Sequence, residues 1–391
     1  MTPPFEYRPL DLATEGAEFD RIHSQCFSSP LDVEQAYLRC IGVEHGRVIC
    51  QDGTLLGGLV LMPMGQWWGG RRVEMTGIAS VAIAPQHRGA GAAIALMRAA
   101  LRELHSQGVP LSMLYAATQR LYRKAGYEQA GFNVGWEAST NVLAMRERSL
   151  PIYPLPQTSE SLRAIYQQHA PHNNGHLDRH SALWTWLLKA DTDEILSVYG
   201  LGSPAQPEGY IVIAQRTGQH NSRLRVNDWV ALTPAALHTC WTFLADHRSQ
   251  IKTIQWKSSA VDPLTLVLPE EVAKPLFVER WMLRIVDVKA ALEQRGYPAQ
   301  LQTELHLELS DDVIPENTGR FVLTVADGRG AVSPGGSGEL KLDIGGLAPL
   351  YTGLFNAHQL QMMGLLSGSA AGRAIATQMF AGIPPWTSDF F

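Results

Sequence analysis

The chain of 391 residues is 45% hydrophobic and carries a net charge of −5, so it has enough apolar residues for several ordinary cores. At about 100–200 residues per domain, this length predicts two to four domains, with three as the central estimate. No basic run indicates a nucleic-acid partner, and no apolar stretch reaches the roughly 18 residues that a membrane span requires.

The first 150 residues are predicted to alternate strands with helices. Strands are predicted over residues 5–10, 44–50, 55–62, 73–83 and 111–115, and helices over 15–26, 31–40 and 92–106. Asp52-Gly53 is a strong hairpin signal between two of these strands, and residues 66–70 predict a turn. The helix over 92–106 has an apolar face at helical spacing, formed by Ile94, Met97, Leu101 and Leu104.

A proline cluster divides this segment from the next. Pro151, Pro154 and Pro156 predict a linker. A strand–helix–strand pattern then recurs, with Thr233 as the predicted helix cap and Pro234 at the first helical position. The two strands are predicted over residues 225–231 and 251–256, and the helix is predicted to end near residue 247. The loop before this helix contains no glycine.

A third segment begins near residue 288 and places strands before a helix, which predicts an α+β domain. Its strands are predicted over residues 303–309, 320–326 and 339–344, its helix over 370–380, and a glycine-rich, flexible stretch over 328–338. Met362 and Met363 are predicted to lie in its core. Three domains are therefore predicted, over residues 1–150, 151–287 and 288–391.

The clearest functional motif lies between the strand over 73–83 and the helix over 92–106. Its positions are Val81, Ala82, Ile83, Gln86, His87, Arg88, Gly89, Ala90, Gly91 and Ala92. Glycines let a ligand approach the backbone closely, and the free amides and dipole of a helix start attract an anion. The spacing Gln86-x-x-Gly89-x-Gly91 resembles the loop that cradles the pyrophosphate of coenzyme A in GNAT acetyltransferases. A glycine-rich turn without a ligand is the alternative interpretation.

A second motif follows the strand over 111–115 and reads Leu121-Tyr122-Arg123-Lys124-Ala125-Gly126-Tyr127-Glu128. In GNAT proteins a tyrosine at the place of Tyr122 faces the thioester sulfur. A phenol with a pKa near ~10 and a thiol with a pKa near ~8.5 make this proton transfer only mildly uphill. The alternative for Tyr122 is a residue of the core. Tyr127 is predicted to be structural, with Gly126 supplying a turn.

Five segments together resemble the enhanced-intracellular-survival (Eis) family of acetyltransferases. They cover residues 66–73, 81–92, 121–128, 231–237 and 340–353. The resemblance implies an α/β (α+β) architecture: two tandem GNAT folds with mixed sheets flanked by helices, and a C-terminal domain similar to sterol carrier protein 2. It also implies a homo-oligomer, a hexamer in that family.

The resemblance further implies an acetyl-CoA-dependent transfer to a primary amine of a cationic acceptor, of the aminoglycoside, polyamine or lysine type. Tyr122 is then the general acid and the terminal carboxylate of Phe391 the base, with neither a metal nor a covalent enzyme intermediate. Glu18, Asp20 and Asp389 are candidates for holding the acceptor. Because the second segment lacks a glycine-rich loop, we expect it to bind no coenzyme A.

Three other functions fit the same sequence. They are a long-chain acyl-CoA acyltransferase, a lipid carrier built on the third domain, and a coenzyme A sensor without an acceptor. Thr76 and Ser80 are candidates for hydrogen bonds to substrate, although polar strand residues often have no such role.

Histidines and cysteines give weaker signals. For the cluster of His169, His172, His176 and His180, a polar loop is favoured over a metal site. Cys26, Cys40, Cys50 and Cys240 form neither a CxxC pair nor a zinc-ligand spacing, so free thiols in a reducing compartment are expected. The first eleven residues lack the apolar core of a secretory signal. We therefore expect a cytoplasmic protein.

Overall fold

The computed structural model describes residues 5–143, 145–190, 193–216 and 223–391. It forms two compact units. The first contains Met1–Ala130, Trp281–Ile383 and Phe391, and the second contains Gly131–Arg280 and Pro384–Phe390.

Strands and helices are numbered separately in chain order. The strands are β1 (Glu6–Pro9), β2 (Gly46–Gln51), β3 (Thr54–Trp68), β4 (Arg71–Ile83), β5 (Leu111–Tyr115), β6 (Glu128–Ser139), β7 (Ile152–Pro154), β8 (Leu177–Asp178), β9 (Glu194–Ser203), β10 (Gln206–Arg216), β11 (Arg223–Ala231), β12 (Thr253–Ser258), β13 (Lys274–Ile285), β14 (Thr303–Ser310), β15 (Gly319–Ala326), β16 (Arg329–Pro334), β17 (Leu340–Asp343) and β18 (Leu366–Gly368). The helices are α1 (Leu12–Phe27), α2 (Val33–Ile41), α3 (Ala92–Ser106), α4 (Gln119–Arg123), α5 (Ser159–His169), α6 (Ser181–Leu187), α7 (Pro234–Asp246), α8 (Val288–Gln294), α9 (Ile344–Thr352), α10 (Ala357–Met362) and α11 (Ala370–Met379).

In the first unit, a mixed sheet runs in the order β1–β2–β3–β4–β5 and continues with the end of β13. Neighbouring strands are antiparallel except β4 and β5, which are parallel and connected through α3. The apolar face of α3 is buried on this sheet, as its spacing predicts. Its buried side chains include Leu96, Met97, Ala100, Leu101 and Leu104.

The turn predicted over residues 66–70 is shorter in the structure. Gln66, Trp67 and Trp68 extend β3, and the turn itself consists of Gly69 and Gly70, both with a positive φ. Trp68 is fully buried, edge-on to Trp281 and Tyr351. This burial extends the strand beyond the position where local turn propensity alone would end it.

The first unit also contains a second sheet, with the order β16–β15–β14–β17–β18. The prediction of a flexible stretch over residues 328–338 is wrong for the first half of that stretch. Asp327 and Gly328 both take a positive φ, of 52° and 72°, and this turn returns β16 antiparallel to β15. Met362 and Met363 are 75% and 50% exposed. Their predicted burial is therefore also wrong, because α10 directs Ala357 and Leu360 into the core instead.

The second unit has a mixed sheet in the order β6–β12–β11–β10–β9–β7. Parallel strands β11 and β12 are connected through α7. As predicted, Thr233 caps α7, its hydroxyl accepting from the Ala236 N–H at 3.1 Å, and Pro234 is the first helical residue. Trp241 of α7 and Trp256 of β12 pack edge-to-face in the core beneath the sheet.

Candidate active site

The first unit has an opening where its two parallel strands separate. β4 pairs with β5 at Met75, Thr76 and Gly77, and within the described residues this pairing does not extend to the rest of β4. Opposite the opening, the register between β3 and β4 shifts, and Ser80 has a φ of 53°. A left-handed conformation costs a non-glycine residue roughly 1–2 kcal/mol, so the surrounding structure must stabilise it.

The end of β4 leads into the glycine-containing loop. Gly89 and Gly91 take φ values of 86° and 92°, and a Cβ built on either would meet no atom within 4 Å. Glycine is therefore required here for its conformation, and the space beside it stays open. Among the described residues, no side chain caps α3 after Gly91. Its first amides are thus left for an anionic ligand, which fits a pyrophosphate.

A cavity of about 590 Å³ lies between this loop and α4. Eight of the predicted cofactor residues line it: Val81, Ala82, Ile83, His87, Arg88, Gly89, Gly91 and Ala92. Gln86 and Ala90 do not line it. The cavity is also lined by residues outside this motif, which are Cys26, Phe27, Ala93, Ile94, Ala117, Thr118, Arg120, Leu121 and Lys124.

Positive charge is concentrated on the wall of this cavity. Arg88, Arg120 and Lys124 all line it, which favours an anionic ligand. The Arg88 guanidinium also donates to the carbonyl of Ile83 at 3.2 Å and thereby ties the loop to the end of β4. The run of basic residues after β5 was the available sequence signal for Arg120 and Lys124.

Tyr122 lies on α4, 5% exposed, within the hydrophobic core of the first unit. Its ring packs edge-on to Tyr127, whose hydroxyl hydrogen-bonds with Ser112 at 2.7 Å. Burial raises the pKa of the Tyr122 phenol to about 12. The phenol is therefore protonated at neutral pH and able to donate.

Phe391 lies at the opening between β4 and β5. Its ring packs directly on Gly77, where any Cβ would come within 2.4 Å of it, and lies edge-on to Tyr115 with ring centroids 6.0 Å apart. The last residue of the chain thus contacts both strands whose separation forms the opening.

The residues just before Phe391 are held in the second unit by a buried ion-pair network. Arg179 donates to Asp389 at 2.8 Å and to Asp228 at 2.6 Å. Its guanidinium also lies 3.9 Å from the ring centroid of Tyr166. Backbone bonds add to the anchor, among them one from the Thr387 N–H to the carbonyl of Phe132 at 3.0 Å. No local sequence signal indicated this network.

The acidic candidates for acceptor binding are all engaged in other interactions. Glu18 accepts two hydrogen bonds from Arg21, and Asp389 is paired with Arg179. The buried Asp20 accepts from the backbone N–H groups of Asp32 and Glu34. None of the three therefore offers an unoccupied carboxylate.

The histidine cluster is split between structural roles. Burial lowers the pKa of His169 to about 4 and that of His176 well below its ordinary value. His180 instead caps α6 by accepting from the Ala182 N–H at 3.1 Å. Among the residues that the structure describes, no three metal-ligating side chains converge, and no helix has the length and apolar character to cross a bilayer.

Family models match three segments of the chain. Residues 6–130 and 175–285 each match an acetyltransferase (GNAT) domain, and residues 288–388 match a sterol carrier protein domain. An uncharacterized N-acetyltransferase of Streptomyces avermitilis is 29% identical over 385 residues, covering 90% of this chain and 89% of its own. The N-acetyltransferase Eis of Mycobacterium tuberculosis is 29% identical over 307 residues, covering 73% and 72%.

Solved structures agree over nearly the full length. A GCN5-related N-acetyltransferase from Anabaena variabilis is 47% identical, with a TM-score of 0.97 over 99% of this chain and 100% of that one. A GCN5-related N-acetyltransferase from Kribbella flavida is 27% identical, with a TM-score of 0.87 over 100% and 99%. These matches confirm the resemblance seen in the sequence. The chain is therefore an acetyltransferase that belongs to the Eis-like family of GNAT N-acetyltransferases, with tandem GNAT domains and a C-terminal sterol carrier protein domain.

Proposed function

We propose that this acetyltransferase moves the acetyl group of acetyl-CoA to a primary amine of a cationic acceptor, of the aminoglycoside, polyamine or lysine type. Tyr122 serves as the general acid and the Phe391 carboxylate as the base. The observation that carries the proposal is the seat of Phe391 on Gly77 and Tyr115, at the point where β4 and β5 separate. Such a position brings a carboxylate to the opening without any acidic side chain.

The reaction proceeds by direct attack. The amine nitrogen forms a bond to the thioester carbon, the bond from that carbon to sulfur breaks, and the sulfur takes the Tyr122 proton. Backbone N–H groups of Val81–Ile83 donate to the carbonyl oxygen as negative charge develops on it. The step needs neither a metal nor a covalent enzyme intermediate.

The base removes the proton from the amine. A terminal carboxylate has a pKa near ~3.5 in water, too low for an efficient base. The Phe391 ring lies edge-on to Tyr115, and an apolar environment around the carboxylate would raise its pKa by desolvation. The same environment holds the cationic acceptor close to the carboxylate.

Only the first GNAT domain is proposed to bind acetyl-CoA. In the first unit the start of α3 has no side-chain cap among the described residues. In the second, the hydroxyl of Thr233 occupies an amide at the start of α7, and Pro234 has no N–H to offer. We also expect a homo-oligomer, a hexamer as in the resembling family, and a cytoplasmic location.

The test is acetyl-CoA-dependent thiol release with aminoglycosides, polyamines and a lysine peptide. The wild type is compared with Tyr122→Phe and with a form extended by two residues after Phe391, after titration calorimetry has shown equal acetyl-CoA binding. Turnover in the wild type and loss of about 10²–10⁴-fold in both variants supports the proposal. Full activity in the extended form refutes the terminal base. Turnover with long-chain acyl-CoA alone refutes acetyl transfer.

A further inference from the structure

A fully buried imidazole lies behind the shifted strand β4. His23 of α1 is 0% exposed. Its Nδ1 lies 2.7 Å from the carbonyl oxygen of Phe19, and its Nε2 lies 2.7 Å from that of Ser80. A carbonyl oxygen only accepts hydrogen bonds, so the contact with Ser80 is a hydrogen bond when the His23 Nε2 carries the proton.

Two buried carboxylates lie on α1 and α2. Asp20 lies on the same helix as His23 and is buried, and Glu34 of α2 interacts electrostatically with His23. Burial raises the pKa of the Glu34 carboxyl, and the attraction of His23 opposes that shift. From β4 itself the ring meets the Ser80 backbone, which carries no charge.

Ser80 interacts with two buried side chains. Its carbonyl accepts from His23, and its side chain opposes the burial-driven rise in the pKa of the Glu34 carboxyl. Both contacts act on a residue whose φ of 53° is unfavourable for serine. Since a trans peptide is planar with its C=O and N–H opposed, a fixed Ser80 carbonyl also fixes the direction of the Val81 N–H. Val81 lines the cofactor cavity.

We infer that His23 is a positioning residue for acetyl transfer, which holds the Ser80–Val81 peptide so that the Val81 N–H faces the thioester carbonyl. This inference rests on the proposed function. Glutamine lacks the ring that places Nε2 2.7 Å from the Ser80 carbonyl oxygen, so His23→Gln releases the peptide while keeping a polar side chain.

The kinetic test compares His23→Gln with a matched control, His45→Gln, in which a partly exposed histidine of the same unit is replaced. We expect kcat of His23→Gln to fall about 10–100-fold, since a displacement near ~1 Å at the reacting atoms costs about 10²-fold. The acetyl-CoA Kd changes less than about 3-fold, because the pyrophosphate loop is untouched. An unchanged kcat overturns the inference.

A second variant separates positioning from loss of folding. Glycine adopts a positive φ without help from neighbouring residues. The double variant His23→Gln, Ser80→Gly should therefore have a kcat at least about tenfold higher than that of His23→Gln alone, where the misplacement costs up to about 10²-fold. A histidine that merely fills the core would show no such recovery, because Ser80→Gly adds no packing. Failure of the double variant to recover activity, with a urea midpoint equal to that of the single variant, overturns the inference.

Amide spectroscopy tests the same geometry without turnover. In protein labelled with ¹⁵N-valine and ¹⁵N-histidine, the Val81 amide proton shifts downfield on addition of acetyl-CoA, and the His23 resonances show a protonated Nε2. His23→Gln abolishes the Val81 shift while acetyl-CoA still binds. A wild type that shows these signals but acetylates no amine refutes the proposed function and keeps the positioning role. An unprotonated His23 Nε2, or a Val81 shift that survives in His23→Gln, overturns the positioning role.

Discussion

Replacing Gly77 by alanine tests the seat of Phe391 directly. A Cβ at this position would lie 2.4 Å from Cε2 and 2.9 Å from Cζ of the Phe391 ring, and 3.0 Å from Cε of Met64. Gly77 has no positive φ, so alanine fits the backbone and the collision is purely one of side chains. Ordinary contact begins near 3.4 Å, so the ring must withdraw by about 1 Å.

That displacement sets the expected magnitude. If the Phe391 carboxylate is the base, moving it by about 1 Å lowers kcat by about 10²-fold. The acetyl-CoA Kd stays within about 2-fold, because the loop that we propose to bind pyrophosphate follows the end of β4 and does not include Gly77. The assay is the initial rate of thiol release at saturating acetyl-CoA, with the amine that the wild type acetylates fastest.

A double-mutant cycle isolates the cause. Phe391→Ala removes the ring but keeps the terminal carboxylate, so Gly77→Ala should cost little further activity in that background. Gly345→Ala is the matched control, because a Cβ there meets its nearest atom at 3.4 Å and its φ is not positive. The reasoning is refuted if Gly77→Ala keeps full activity, or if it costs the same factor in both backgrounds.

Three further predictions concern stability. Burial alone would raise the pKa of Asp311, but its ion pair with the fully buried Arg284 and its hydrogen bonds hold that pKa below the usual value. Asp311→Ala should therefore cost about 3–5 kcal/mol in urea unfolding, and the wild-type contribution should persist above the unfolded pKa near ~3.9 and disappear as the pH falls further. Burial lowers the pKa of His169 to about 4. As the pH falls from ~6.5 to ~4, only the unfolded chain takes up a proton at this residue, so the free energy of unfolding should decrease by up to about 3 kcal/mol. His169→Phe should make the free energy of unfolding less dependent on pH in this range. Gly69→Ala should lower Tm more than Gly108→Ala, because both have a positive φ but only the former would place a Cβ 2.3 Å from a backbone carbonyl.

Local patterns predicted the elements on either side of the glycine-containing loop after β4. The bounds of α3 and β5 match the predicted ones, since an apolar face at helical spacing and a short apolar run are properties of neighbouring residues. Thr233 and Pro234 are a second case, because a hydroxyl cap and a fixed φ act within one helical turn. Where a structural feature such as a helix cap depends only on neighbouring residues, the sequence contains enough information to identify it.

The anchor before Phe391 has no such local signal. Arg179 is 49 positions from Asp228 and 210 from Asp389. Each is a single charged residue in its own segment, and single charges are exposed far more often than buried. Only the folded sheet of the second unit brings their side chains together. The sequence suggested Asp389 as a ligand for the acceptor, whereas the structure uses it to fix the chain.

Ser80 shows a different limit. A serine within an apolar strand is interpreted as a polar residue with at most a side-chain role, because positive φ is expected of glycine or asparagine. In the structure, its backbone takes a conformation that serine disfavours, and its carbonyl accepts from the buried His23. A glycine at this position would reach the same φ at lower cost. The chain instead has serine at this position, close to a buried histidine and a buried carboxylate. We infer that this arrangement maintains the direction of the Ser80–Val81 peptide rather than the stability of the fold.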